Sequence, residues 1–450
     1  MMNTDTIAAI ATPPGNGGIG IIRISGPKAE KILFRVFRPA GDADKSRESH
    51  RLSYGHLTDG DETVDECMAV LMRAPHSYTR EDVAELQIHG GTYVVNKALE
   101  LCLRQGARLA EAGEFTRRAF LNGRVDLSRA EAVMSLIAAR GEQEHRAAVR
   151  QLNGGAASFI RGFADELYSL QAGLAACIDY PEEISDEEGA GTLKEGLEHL
   201  IWRLENAVDE HASRMIHQGL HVALVGRPNV GKSSLLNALL GENRAIVTDI
   251  PGTTRDTLQG EMSLNGIRVL LTDTAGIRKT DDPVEKIGVE RSEKAREEAD
   301  ITLMILDGSE PLTEDDRQLL LRLGSNSAAA INKNDLPQQV TEEDIRDIRP
   351  GIKTLIVSAV NPESLLSVRA WIEQFAAISD RLALTQPRHL DAAKRALGHL
   401  YDALATIGSF TPDIAATDLQ AAQAALSEIT GDRADEKLLD RVFSAFCVGK

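Results

Sequence analysis

Gly226-Arg227-Pro228-Asn229-Val230-Gly231-Lys232-Ser233 carries the G-x4-G-K-[ST] spacing of a phosphate-wrapping loop. Its glycines let backbone N–H groups curl around a β-phosphate. Lys232 neutralises the β- and γ-phosphates, and Ser233 offers a hydroxyl to Mg²⁺. The preceding HVALV reads as a strand and the following SSLLNALLG as a helix. The N-terminus of that helix, at Ser233-Ser234, adds partial positive charge.

Three further motifs follow in order. Asp273-Thr274-Ala275-Gly276 closes an apolar run, where a switch sensing Mg²⁺ and a γ-phosphate belongs. Between it and the loop lies Gly252-Thr253-Thr254-Arg255-Asp256, with Thr248-Asp249-Ile250-Pro251 ahead of it and Thr254 placed to complete the Mg²⁺ shell. Asn332-Lys333-Asn334-Asp335 follows SAAAIN, and a carboxylate at Asp335 accepts both guanine N1–H and the 2-amino hydrogens. Ser358-Ala359 after TLIVSA resembles the last guanine-contacting loop. Four motifs at strand ends describe a domain that binds and hydrolyses GTP. Ile277 stands where Ras-like enzymes carry their water-positioning glutamine. Either hydrolysis is very slow, or another polar group and a cation do the work. Glu285, in RKTDDPVEKIG, is available, though by composition it reads as a solvated loop acid.

The elements that must position these groups are legible in outline. HVALVG, GIRVLLTD, ITLMILD, SAAAIN and TLIVSA are continuous apolar runs alternating with helix-length segments, which imply an α/β domain around a parallel, doubly wound sheet over 220–377. Ahead of it, residues 1–120 mix the strands TIAAIAT, GIIRIS, DECMAVLMR and DVAELQIH with a helix over 92–105, an α+β pattern. His89-Gly90-Gly91 reads as a turn. Gly15-Asn16-Gly17-Gly18-Ile19-Gly20 satisfies G-x-G-x-x-G, but a strand follows it instead of a helix, so it reads as a hairpin turn. Helical texture fills 121–219, with Leu127, Ala130, Met134, Ile137 and Ala138 on one face, and returns over 378–450. There Leu390, Ala393, Leu397, Leu400 and Leu404 recur at helical spacing, and Thr417 reads as the N-cap of the next helix. The two helical blocks are expected to pack together, the α/β domain being inserted between them.

Composition bounds the partners. Net charge is −18, which does not advertise a dedicated nucleic-acid binder. Four single cysteines, Cys67, Cys102, Cys177 and Cys447, fit neither a zinc site nor a disulfide framework. No run of about 18 apolar residues exists, so a membrane span is not expected and the cytoplasm is the default address.

Other residues complete a set that together resembles one family. They are Ala11-Thr12-Pro13-Pro14-Gly15 with Arg23-Ile24-Ser25-Gly26, Ile178-Asp179-Tyr180-Pro181-Glu182-Glu183, and the terminal Phe446-Cys447-Val448-Gly449-Lys450. With the motifs above, the chain closely resembles, over essentially its whole length, the bacterial tRNA uridine 5-carboxymethylaminomethyl modification GTPases. The resemblance implies an α+β folate-binding-like N-terminal domain, an all-α helical domain and an inserted P-loop GTPase domain. It implies a homodimer formed by the N-terminal domains, complexed with an FAD-dependent partner in a heterotetramer. Together these modify the 5-position of the tRNA wobble uridine with a one-carbon donor such as 5-formyltetrahydrofolate, the tRNA being held by either protein. It implies K⁺ held by Asn229 with Thr248, Ile250 and Thr253, and makes Glu285 the acid that orients water. The implied folate site falls on Arg23, Glu85, Arg124 and Lys450; a pterin edge suits a carboxylate and a folate's anionic tail suits cations. Arg124 stands where the family commonly has lysine, with the charge kept. Cys447 reads either as a reactive thiol or as a small apolar residue ending a helix. The rival readings are a ribosome-assembly GTPase, which shares every guanine-nucleotide motif, and a non-catalytic GTP-dependent scaffold, which Ile277 motivates.

Overall fold

The computed structural model describes residues 5–42, 44–179, 186–241, 259–273, 299–376, 383–407 and 412–450. The chain divides into two compact units: residues 1–137, 150–202 and 391–450 form one, and 138–149 with 203–390 the other.

The first unit contains a seven-stranded sheet among its described residues, ordered β3-β4-β5-β6-β2-β1-β7. The strands are β1 (Ile7–Ile10), β2 (Gly17–Ser25), β3 (Phe37–Pro39), β4 (Ser53–Asp59), β5 (Glu62–Met72), β6 (Val83–Gly90) and β7 (Arg108–Leu109). All neighbours pair antiparallel except β1 and β7. Side chains alternate across the pleat. Ala8, Ile22 and Ile24 therefore join a core with Ile32, Leu33 and Leu101 from the helices Ala29–Val36 and Thr92–Arg104, while Ile7 and Ala9 face Phe115 and Ala110 on the other side. The glycine-rich Gly15–Gly20 segment is the expected hairpin: β1 and β2 pair as neighbours, with Gly15 at φ +129° in the connection. His89-Gly90-Gly91 is not a free turn. His89 and Gly90 belong to β6, Gly90 pairing with Gly17, and Gly91 caps the following helix. A Cβ on Gly90 would meet the Gly17 carbonyl oxygen at 2.5 Å, so close strand approach explains that glycine.

The rest of this unit is helical. Gly155–Asp179 packs on Pro412–Thr430, far along the chain. Thr417 does not cap that helix. The helix begins five residues earlier at Pro412, whose fixed φ and missing N–H suit a first helical position. On the helix Leu127–Ala138, Leu127 and Ala130 are buried with Leu439 and Phe443 of the last helix, Glu436–Ser444, and Met134 packs against them; Ile137 and Ala138 are exposed instead. Beyond Ser444 the chain returns to the N-terminal sheet, Val448 bridging Ala112. Gly449 lies at φ +94°, and a Cβ there would meet the Ile10 carbonyl oxygen at 2.4 Å.

The second unit is built on a six-stranded sheet among its described residues, ordered β13-β12-β11-β8-β10-β9. These are β8 (Leu220–Val225), β9 (Gln259–Leu264), β10 (Ile267–Asp273), β11 (Ile301–Asp307), β12 (Ser327–Asn332) and β13 (Lys353–Ile356). Every pairing is parallel except β9 with β10, joined by Asn265-Gly266 with both residues at positive φ. Both faces are covered, which is why the strands read as unbroken apolar runs. Val222 and Leu224 pack with Leu235 of the helix Lys232–Gly241 and with Val368 and Trp371 of Pro362–Glu373. On the opposite face, Ala223 and Val225 pack with Leu320 of Glu314–Leu321 and Ile345 of Glu342–Ile348. No helix among the described residues is long and apolar enough to cross a membrane.

Candidate functional site

Parallel strands of a doubly wound sheet present their carboxyl ends, and the loops beyond them, along one edge. On that edge β8 runs into the loop Gly226–Gly231, held in conformations open to few residues: φ is +147° at Gly226, +66° at Asn229 and +93° at Gly231. A Cβ on Gly226 would lie 2.3 Å from the Ile305 carbonyl oxygen, and one on Gly231 2.3 Å from Nδ2 of Asn332. Lys232, 3% exposed, donates its ammonium protons across the loop to the carbonyls of Gly226, at 2.7 Å, and Arg227. Burial lowers its pKa, against the opposing pull of Asp273.

Ser233 Oγ donates to Asp273 Oδ2 at 2.6 Å, joining the helix start to the end of β10. Hard oxygens at this spot suit Mg²⁺, so the residues present fit that ion. Val230 and Asn332 are buried, and Asn332 Nδ2 donates to the Val230 carbonyl at 2.8 Å, coupling the Gly226–Gly231 loop to the end of β12. Lys333, at φ +62°, forms an ion pair of 2.5 Å with Asp307, the last residue of β11. Burial works to raise the Asp307 pKa, but bonds from Lys333 and Ser309 outweigh it and the carboxyl is held below its ordinary range. The buried Ser358 hydroxyl donates to Asp335 Oδ1, anchoring this exposed carboxylate beside the strand end. Ala359 follows it, half-buried, and Ser234 and Asn229 are exposed.

Thus Asn229, Val230, Gly231, Lys232, Ser233, Ser234, Asp273, Asn332, Lys333, Asp335, Ser358 and Ala359 all lie at the strand ends of one sheet. Thr248, Asp249, Ile250, Pro251, Gly252, Thr253, Thr254, Thr274, Ala275, Gly276 and Glu285 lie outside the described residues. The sequence does not single out Asp307 or the Arg227–Asp316 pair. Asp307 closes the apolar run ITLMILD with a carboxylate, a signal that was available. Arg227 bonds the almost fully buried Asp316 at 2.9 Å, and Asp316 also forms a capping box with Thr313; nothing local announces that pair.

In the first unit, Arg23 on β2 and Glu85 on β6 are register partners and form an ion pair of 2.8 Å, both largely buried. Arg23 also donates to the Gly449 carbonyl at 3.1 Å, and its guanidinium lies 5.5 Å from the Tyr78 ring centre. Arg124 stacks on the same ring at 4.7 Å and donates to the Tyr78 carbonyl. Burial, then the Arg23 charge, lowers the Lys450 pKa against the pull of Glu85. Arg23, Glu85 and Lys450 therefore converge, Arg124 joining through Tyr78, a residue the sequence did not single out. A cavity of about 450 Å³ lies beside them, lined by His50, His76, Tyr78, Arg80 and Arg124 among others. Cys447 is exposed and in no disulfide, three residues beyond the end of the last helix, while Phe446 takes the buried place beside Phe443.

A family model described as the MnmE helical domain matches residues 127–447, and one described as the GTP-binding protein TrmE N-terminus matches 6–124. The chain belongs to this family. A tRNA modification GTPase MnmE of Clostridioides difficile is 43% identical over 459 aligned positions covering 100% of both chains. One of Symbiobacterium thermophilum is 45% identical, again covering 100% of each, and one of Heliobacterium modesticaldum 44% identical over 99% of each. Family membership carries GTP hydrolysis with GTP and Mg²⁺ to this chain, in agreement with the Lys232, Ser233 and Asp273 geometry.

Proposed function

We propose that this chain is a K⁺-dependent GTPase that works as a homodimer with an FAD-dependent partner to modify the 5-position of the tRNA wobble uridine, using a one-carbon tetrahydrofolate. Its action as a GTP hydrolase in tRNA modification rests on the family, whose full-length relatives bear that name. The observation that carries the nucleotide half is the Val230–Asn332 bond. It ties the phosphate loop to the guanine-reading strand end, so base recognition and phosphate binding share one rigid frame. Loop residues 229–234 would hold phosphate and Mg²⁺, and Asp335 with Ser358 and Ala359 the base. Asn229, with Thr248, Ile250 and Thr253, would hold K⁺, whose charge between the phosphates does the work of an arginine finger. Glu285 would orient the attacking water, and Thr254 would complete the Mg²⁺ shell.

The folate half is supported by the meeting of Arg23, Glu85 and Lys450 beneath Arg124 and Tyr78. A carboxylate for a pterin edge, an aromatic face and several cations are the groups such a ligand needs. We assign residues 1–120 to this role, 121–219 and 378–450 to the helical scaffold and 220–377 to the nucleotide switch, in the cytoplasm. The test has three arms. Hydrolysis should be faster in K⁺ than in Na⁺, and Glu285→Ala should slow it with nucleotide affinity nearly unchanged. The full chain should bind 5-formyltetrahydrofolate in calorimetry, and Arg23→Ala should weaken that. Wobble uridines of a strain lacking the protein should lose the 5-substituent; their full retention would overturn the reading.

A further inference from the structure

The helices Pro387–Ile407 and Pro412–Thr430 follow one another along the chain, separated by four residues. On the first, His399 and Asp402 are three residues apart and so share a face. From the second, Asp418 brings its carboxylate to the same place: one ligand-type atom from each residue lies within 4.8 Å of the other two. His399 and Asp418 are half-buried and Asp402 is exposed. Among the described residues, none of the three side chains makes a hydrogen bond or an ion pair. Two carboxylates drawn together with no cation repel one another, and half-buried Asp418 has lost part of its water.

The geometry points to a divalent transition-metal site here, of the Zn²⁺ class, held by His399, Asp402 and Asp418. The imidazole argues against Mg²⁺ and Ca²⁺, which take oxygen ligands, and suits zinc, which accepts nitrogen and carboxylate together. Small rotamer changes close a donor triangle of this size onto an ion at about 2.0–2.2 Å from each ligand. Three protein ligands leave further positions to water. The metal would add a second tie between two helices that the Arg395–Glu428 ion pair, at 2.8 Å, already joins, and it is independent of the nucleotide and folate readings. No contact with either of those sites is required.

The test uses the full chain, stripped by a chelator, nucleotide-free and carrying Cys447→Ser so that its exposed thiol cannot compete. Zn²⁺ is titrated by calorimetry, and Co²⁺ by its visible absorption, which reports ligand geometry. One equivalent of Zn²⁺ is expected, and His399→Ala and Asp418→Asn should each weaken it by at least about tenfold. His399→Gln, of similar size and helix preference, should weaken it equally with unchanged far-ultraviolet circular dichroism, which separates ligation from folding. No uptake at about 1 mM Zn²⁺, or variants that titrate like the parent, would overturn the proposal.

Discussion

Replacing Gly231 by alanine tests whether the Gly226–Gly231 loop and the end of β12 at Asn332 are one mechanical unit. The change carries two separable costs. Alanine at a φ of +93° is strained by about 1–3 kcal/mol. Its Cβ would also lie 2.3 Å from Nδ2 of Asn332, the atom that bonds the Val230 carbonyl. Moving Asn332 aside leaves buried polar groups unpaired, which costs about 1–3 kcal/mol more. The sum is about 2–6 kcal/mol, a large part of a typical stability. Urea unfolding can read it locally. The chain has two tryptophans, and Trp371 is buried in the nucleotide-binding unit while Trp202 belongs to the other, so a Trp202→Phe background reports that unit alone. Making Gly231→Ala in an Asn332→Ala background removes the clash and leaves the strain. The cost of the glycine change should then fall by about 1–3 kcal/mol. An equal cost in both backgrounds, within about 0.5 kcal/mol, would refute the coupling.

Arg118→Ala should cost the first unit about 3–5 kcal/mol in thermal or urea unfolding. Arg118 is 2% exposed and bonds Asp5 at 2.7 Å, Glu114 at 2.8 Å and Glu81 at 3.2 Å, so its loss leaves Glu81 without a cation and Asp5 and Glu114 with Arg108 alone; a loss below about 1 kcal/mol would contradict this. Asp307 is held below its ordinary pKa once the Lys333 and Ser309 bonds outweigh burial, so its contribution is complete above the ordinary carboxylate range and fades as pH falls through the folded value. The stability gap between wild type and Asp307→Asn should therefore shrink on acidification from about pH 5 to pH 3, and a constant gap would count against the Lys333 pair. Gly449→Ala forces a Cβ to within 2.4 Å of the Ile10 carbonyl oxygen and should lift the terminal segment from Arg23. Calorimetry with 5-formyltetrahydrofolate should then show binding weakened by about tenfold, equivalent to about 1.4 kcal/mol.

The amino-acid sequence by itself determined what is local. The phosphate loop is contiguous, its glycines are required by backbone conformation, and five strands of the nucleotide unit are legible because a sheet covered on both faces demands unbroken apolar runs. Asn332 and Asp335 follow from their place after one such run. β9 escaped notice although Asn265-Gly266 marks its hairpin, because QGEMSL has too few apolar residues to stand out. Thr417 misled because a good capping residue is only a local preference, which a longer helix from Pro412 overrides. Only the tertiary structure decided the rest. Arg23 meets Gly449 across 426 residues of sequence, Arg118 gathers Asp5 and Glu81, and Arg227 finds Asp316. Such pairs depend on strand register and on where the last helix returns the chain, and no short window of residues encodes either.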